Sequence, residues 1–436
     1  MEVDGACTGH VQLTVATTPR ADRDRDAASR RDRAATYERL AGRELDVGAP
    51  LGAMPVPWEA VVPGRTVRDG RTVRDGGTVR DALDHAAREA VADGPCYVLF
   101  SGGRDSSLVL ALATRAARAL GVPDPVPVTA VYPGDARADE SAWQDLVLGH
   151  LGLTERIVVP VTHERSTLGD LATRHLRRRG LVWPEAVHTQ PLFFDQLDPG
   201  TVLTGEGGDA FIEGRRITPL YLLLGRRRRP SGALVRAAAA ALSPAVVARR
   251  QSRRRFADPA ALGWLRPAAR DILARDEAAE RGPLRWDEAT WAIYSRRATR
   301  LGLDNATASA AEYGLTLRHP IAEAPVVAAL ARAGGGWGFR GRTNLFRLLG
   351  ADLLPDAILA RRSKAAFNAS RWGERERRFA EGFRGGAFSP DFIDEERLRA
   401  VWLSDRPHPV SYFLAQMAWL HEEGLPMIPP AAPPRP

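Results

Sequence analysis

The chain has 436 residues, 44% of them hydrophobic, enough to bury a sizeable core, and it carries 61 basic against 53 acidic side chains for a net charge of +8. No apolar run approaches the ~18 residues of a membrane helix, and the start Met1-Glu-Val-Asp-Gly lacks the basic and apolar pattern of a secretory signal. Two cysteines, Cys7 and Cys96, give neither a disulfide framework nor a C-x-x-C pair, which fits a reducing cytoplasm. Nearly all the basic residues are arginine; the one lysine is Lys364. A compact ammonium cannot be replaced by a guanidinium where an adjustable point charge is needed, so Lys364 is a candidate for chemistry.

Residues 1–78 read as a short N-terminal segment and linker, partly disordered. Arg20 to Arg33 is a mixed Arg/Asp run, and residues 65–82 repeat as RTVRDG, RTVRDG, GTVRDA, too few copies for a solenoid core. The last copy runs into a helix, Val79 to Ala92, with Leu83, Ala87 and Ala90 on one face. From residue 94 strands and helices alternate. Strands are expected at Tyr97–Phe100, Val126–Tyr132, Arg156–Val161 and Thr201–Thr204, and helices at Ser107–Leu120, Glu140–Leu151 and 167–179. Such alternation predicts an α/β fold, a parallel sheet with flanking helices and right-handed crossovers, whose ligands sit at the carboxyl ends of the strands. After about residue 215 the sequence shows no clear strand. Helices are expected at 232–249, 286–300, 304–314, 323–333, 342–351 and 411–422, making a mostly helical C-terminal half. Residues 79–425 form the main domain and 426–436 a Pro-rich tail.

Two glycine-rich motifs close strands. The first is Ser101-Gly-Gly-Arg-Asp-Ser-Ser107, between a strand and a helix. Gly102 and Gly103 let backbone N–H groups close on an anion, and the helix N-terminus adds its positive dipole end. Ser101, Ser106 and Ser107 can donate to phosphate oxygens, and Asp105 can hold Mg²⁺. No Lys-Ser/Thr follows the glycines, so the loop is not of Walker type. The second motif, Gly205-Glu-Gly-Gly-Asp209, follows the strand at 201–204. Asp105 and Asp209, at neighbouring strand ends, could share one Mg²⁺ on ATP phosphates, since that ion usually takes one or two protein carboxylates.

S-G-G-x-D-S, then L-T-G-E-G-G-D, then R-x-K-x-x-F at Arg362 to Phe367 resembles the synthetase domain of the asparagine synthetase family, within the ATP pyrophosphatase (PP-loop, Rossmann-like) superfamily. That family includes glutamine-dependent asparagine synthetases, β-lactam synthetases and lasso-peptide macrolactam synthetases. The resemblance implies an ATP-dependent carbon–nitrogen ligase that adenylates a carboxylate, passes it to an amine and releases AMP and pyrophosphate. It implies ATP and Mg²⁺ as cofactors, with Asp105 and Asp209 on the metal. Ser101, Gly102, Gly103, Asp105, Ser106, Ser107, Gly205, Glu206, Gly207 and Gly208 would surround ATP and pyrophosphate, and Val131, Tyr132 and Pro133 would lie near adenine. Lys364 matches the lysine that neutralises charge on phosphates and intermediate. A positioned cation is what an oxyanion and departing AMP require.

The chain departs from the pattern in three places. It begins Met1-Glu2 rather than with a cysteine after the initiator methionine, so no glutaminase domain is expected and ammonia from glutamine would need a separate source. At Thr316-Leu-Arg-His-Pro320-Ile-Ala-Glu323 the family shows E-x-R-x-P-F-L-D. Arg318 fits, Thr316 replaces the glutamate, and Glu312, one helical turn earlier, is the candidate to reach the same cleft. Arg104 occupies a position where apolar residues are common; pairing with Glu206 or Asp209, substrate contact and solvent exposure are all open to it.

His188 precedes the fourth strand, where related enzymes line the substrate cleft, though a lone histidine is more often structural. Nine histidines without paired spacing argue against structural zinc. Arginine clusters at 177–179, 226–229 and 253–255 read as solvated surface, or as a rim for an acidic precursor peptide, a carrier protein or RNA. The partners expected are a carboxylate-bearing small molecule or peptide and an amine, with no membrane, and with nucleic acid disfavoured. Two other readings stay open on the sequence: an RNA-modifying PP-loop enzyme, and a non-catalytic protein on a degenerate nucleotide fold.

Overall fold

The computed structural model describes residues 77–225, 230–257, 262–279, 281–361, 363 and 368–427. The N-terminal segment with Cys7, most of the repeat, Arg226–Arg229, Lys364 and residues 428–436 of the Pro-rich tail lie outside the described residues.

Helix α1 (Gly77–Ala92) leads into β1 (Cys96–Leu99), α2 (Arg104–Leu120), β2 (Val126–Val131), α3 (Ser141–Leu151), β3 (Ile157–Pro160) and α4 (Asp170–Arg179). A 3-10 turn (Glu185–Thr189), α5 (Pro191–Phe194), β4 (Gly200–Thr204) and α6 (Gly208–Phe211) follow. Then come α7 (Thr218–Leu224), α8 (Gly232–Leu242), α9 (Ala245–Phe256), α10 (Pro267–Ala279), α11 (Trp286–Tyr294) and α12 (Arg297–Ala311). The chain continues with β5 (Leu315–Arg318), a 3-10 turn (Pro320–Ala322), α13 (Ala324–Gly334), α14 (Arg342–Gly350), α15 (Asp356–Ala360), α16 (Glu374–Gly382), α17 (Glu395–Trp402) and α18 (Val410–Glu422). No single helix among the described residues is long and apolar enough to cross a membrane.

The five strands form one parallel sheet in the order β3-β2-β1-β4-β5. After β1 the chain moves outward through β2 and β3, then returns to the other side of β1 as β4. The crevice at the carboxyl ends of β1 and β4 is therefore the topological switch point, where open parallel sheets bind ligands. Both glycine motifs open onto it.

Alternation along the strands divides the interior. Val98, Phe100 and Leu203 face a core built with α1, α2 and α13, while Tyr97, Val128, Val202 and Leu317 pack on the other side with Phe194 and α12. A further core joins Phe256, Trp264, Trp372, Trp402, Tyr412 and Trp419, the C-terminal helices closing on α4 through Leu176. Trp372 stacks on Tyr412 with ring centroids 5.0 Å apart.

Three expectations about the C-terminal half are corrected. A fifth strand exists: β5 pairs with β4, Leu203 opposite Arg318. Its four residues alternate buried and exposed but are too few to stand out after a helix that runs to Ala311. The helix expected at 232–249 is two helices, because Pro244 forces Ser243 into extended backbone (ψ 144°) and ends the first. The helices expected at 286–300 and 304–314 divide instead at Ser295–Arg296. No breaker residue marks that point; α11 packs on α13 and α12 beneath β5, and the break lets each follow its own partner.

Glu376, fully buried, fixes the C-terminal helices to the loop after β3. Its carboxyl accepts from the Leu168 N–H at 2.8 Å, from the Gly373 N–H at 2.8 Å and from the Ser166 hydroxyl. Replacing it with alanine strands two backbone donors. Glu376→Ala is expected to lose about 2–5 kcal/mol of stability, read as a lower urea midpoint than wild type.

Candidate functional site

The loop after β1 turns at Gly102, whose φ of +79° suits glycine and whose absent Cβ would lie 3.1 Å from Gln144 Cγ. Ser101 and Ser106 hold the loop's ends together through their hydroxyls, 3.1 Å apart. Helix α2 then begins directly, with Asp105 in its first turn. Arg361 secures the loop from below. It donates to the Gly102 carbonyl at 2.9 Å and to Glu140 at 2.5 Å, and it lies over the Trp143 ring at 4.6 Å. Both partners of that ion pair are buried.

The loop after β4 nests against the first. A Cβ on Gly205 would lie 2.6 Å from the Ser106 nitrogen, and one on Gly208 would fall inside the Asp105 carboxylate. Glycine is required at both places for closeness of approach. This contact brings Asp105 and Asp209 to one cation, the Arg342 guanidinium. Its Nη2 is 2.6 and 2.7 Å from the Asp105 oxygens and 3.1 Å from Asp209. Gly341, at φ +106°, delivers Arg342 into the first turn of α14.

Between these loops and the turn leading to α5 lies a cavity of ≈ 560 Å³. Ser101, Gly103, Asp105, Ser106, Gly205, Glu206, Gly207 and Asp209 line it, as do Val128, Ala130 and Tyr132. Arg104, Arg165, Arg342 and Arg361 supply positive charge along its walls. The Tyr132 hydroxyl accepts from Arg165 at 2.9 Å. Two carboxylates on adjacent loops, both reaching one cation, suit Mg²⁺ held jointly by protein and phosphate oxygens. Among the described residues no group of three or more His, Cys, Asp or Glu forms an all-protein cage.

Several sequence expectations meet a different placement. Ser107 is fully buried and its hydroxyl donates back to the Gly103 carbonyl four residues earlier at 2.8 Å, so it is spent within the first turn of α2 rather than facing a phosphate. Gly102 and Gly208 shape the loops without lining the cavity, and Val131 alternates away from it while Ala130 and Tyr132 face in. Glu312 does not reach the cleft. It pairs with Arg178 and Arg179 on α4, since α12 turns that face toward α4. Arg318 also points elsewhere, joining β5 to α1 through Glu89 at 2.9 Å and binding Glu323 at 2.8 Å. Thr316 shares its strand face and is exposed. Arg104 lies over the Phe346 ring at 5.0 Å and donates to Thr343 at 3.2 Å, on the cavity wall. His188 is wholly buried and does not line the cavity; Gln190 and Phe193 from the same stretch line it instead. Lys364 lies outside the described residues, although its neighbours Arg361 and Ser363 line the cavity.

Sequence reasoning missed Arg342, Arg361 and His319. The first two sit among many arginines without a distinguishing pattern. The period of two along β5 was the available signal for His319: with Leu317 facing the cavity, residue 319 follows it. Its Nδ1 lies 2.7 Å from the Thr204 hydroxyl, which accepts the Glu206 N–H at 3.1 Å. Thr204 can donate to Nδ1 only if the imidazole is neutral, and burial pushes its pKa down to about 4.

The fold and these loops define an α/β protein with a crevice at its switch point lined by two glycine-rich strand-end loops. A model of the asparagine synthase family matches residues 78–422, and the chain belongs to that family, whose general reaction is ATP-dependent amide formation. No curated protein matches the chain.

The His319 network carries a pH signature. Burial also lowers His188, to about 3. The unfolded chain takes up these protons first, near its ordinary pKa of about 6.5. Stability is therefore full above that value and falls as pH drops toward 4. Thermal melts from pH 7 to pH 4 are expected to show this loss, and His319→Gln should flatten the slope relative to wild type; an unchanged slope refutes the assignment.

Proposed function

We propose that the chain activates a carboxylate by adenylation with ATP and transfers the acyl group to an amine, releasing AMP and pyrophosphate. The observation that carries this reading is the nesting of two strand-end loops so that Asp105 and Asp209 converge on one cation. Family membership supports the general reaction.

In this reading the backbone N–H groups of the first loop, with the N-terminus of α2, bind the phosphates that leave. Ser101 and Ser106 add hydroxyl donors. Asp105 and Asp209 would hold Mg²⁺, which when bound neutralises phosphate charge. Tyr132, at the end of β2, would flank adenine. The buried Arg361–Glu140 pair keeps the first loop closed, and neutral His319 orients Glu206 through Thr204. Lys364, which follows Ser363 on the cavity wall, is the proposed cation for the developing oxyanion. Glu312 and Arg318 have no place in this scheme.

The proposed acyl substrate is a small molecule or peptide of natural-product type. The amine is free ammonia, an amino acid or an amine within the same substrate. We place the protein in the cytoplasm, where ATP is supplied. The RNA reading loses support from the arginine clusters, since Arg177, Arg178, Arg179, Arg253 and Arg255 all form ion pairs with acidic neighbours.

ATP with Mg²⁺ at a hundred times its dissociation constant should stabilise wild type by about 2.7 kcal/mol. Asp105→Ala and Asp209→Ala should lose most of that stabilisation. Lys364→Ala should keep it but lose most amide formation, read as amine-dependent release of AMP with a carboxylate substrate. Stabilisation that is equal in wild type and both aspartate variants would refute the site.

A further inference from the structure

Arg342 has two sets of contacts. Nη2 faces the carboxylates of Asp105 and Asp209, while Nη1 donates to the carbonyls of Gly208 and Ile212 at 3.0 and 3.1 Å. The Phe346 ring lies 5.1 Å from the guanidinium, and the side chain is only 12% exposed. Nη1 also lies 3.5 Å from the Glu213 carboxylate, so that end of the fork keeps its partners whether or not Nη2 holds Asp105 and Asp209. Arg104 lies over the same ring at 5.0 Å, adding a like charge beside it.

The positions Nη2 touches are those a divalent cation would need. Two cations cannot share the same carboxylate oxygens at contact distance without strong repulsion. An incoming phosphate has the opposite effect, because a guanidinium fork pairs with phosphate oxygens as readily as with carboxylate. We propose that Arg342 is an internal counter-cation and positioning residue. It holds Asp105 and Asp209 in register in the nucleotide-free chain and excludes a divalent cation arriving alone. It turns Nη2 to a phosphate oxygen when nucleotide and cation arrive together. The anchor on Gly208 and Ile212 means that one nitrogen changes partner while the helix stays in place. This inference rests on the nucleotide-site reading above.

The test is calorimetric titration of the full chain with Mg²⁺ alone, and separately with a non-hydrolysable ATP analogue in the presence of Mg²⁺. Removing the guanidinium charge in Arg342→Met or Arg342→Gln is expected to tighten binding of Mg²⁺ alone by about tenfold. The same variants should weaken binding of the analogue. Arg342→Lys, which keeps the charge without the fork, should return Mg²⁺ affinity toward wild type. A residue that only braced the loops would, when removed, weaken Mg²⁺ binding; weaker or unchanged affinity in the Met and Gln variants overturns the proposal. The two variants guard against a folding defect in either, and near-ultraviolet circular dichroism reports whether each keeps its packing. A wild-type chain that binds no analogue overturns the nucleotide site itself, whereas analogue binding with unaltered Mg²⁺ affinity in the variants overturns only the role of Arg342.

Discussion

The close approach of the loops after β1 and β4 is the constraint on which the site depends. Two missing side chains make it possible. At Gly205 a Cβ would meet the backbone of Ser106, and at Gly208 it would meet the Asp105 carboxylate. No rotamer change relieves the clash with backbone at Gly205, nor that with the Asp105 Cβ, 2.6 Å from the Cβ position at Gly208, so these positions fix both residue type and loop spacing. The sheet order then follows a functional logic: only with β4 beside β1 do two glycine-rich strand ends open onto one crevice.

Bringing two carboxylates together raises an electrostatic problem that the fold answers with arginine. Arg342 bridges Asp105 and Asp209, and Arg361 neutralises the buried Glu140 while holding the first loop by its carbonyl. Phe346 and Trp143 lie beneath these guanidiniums, so their flat faces are packed as well as paired. An ammonium would neither span two acceptors with such geometry nor stack on a ring. Among the described residues the cations that line the crevice, Arg104, Arg165, Arg342 and Arg361, are all guanidiniums.

The C-terminal half serves the crevice in two ways. Helices α13 to α15 close the core over α2 and deliver Arg342 and Arg361 to its rim, whereas α16 to α18 build a separate aromatic core tied back to the sheet through Glu376. The short strand β5 links them to the floor. Alternation places Arg318 on the outer face, where it pairs with Glu89, and His319 on the inner face beside Thr204.

The local pattern of the sequence determined the strand–turn–helix units, the two glycine motifs and the acids that follow them, because backbone conformation and side-chain period are short-range properties. It also exposed Lys364 by simple rarity. Tertiary structure alone decided which faces meet. Glu312 and Arg318 carry the right chemistry at plausible spacing, yet a helix rotation and a strand's period of two turn both from the cleft. Ser107 belongs to the motif but is buried inside the first turn of α2, its hydroxyl bonded back to the Gly103 carbonyl. Arg342 and Arg361 are unremarkable in a chain so rich in arginine, and they become part of the site only because distant segments fold onto the two loops. Long-range packing, which carries no local signature, is what separates these residues from the surface arginines around them.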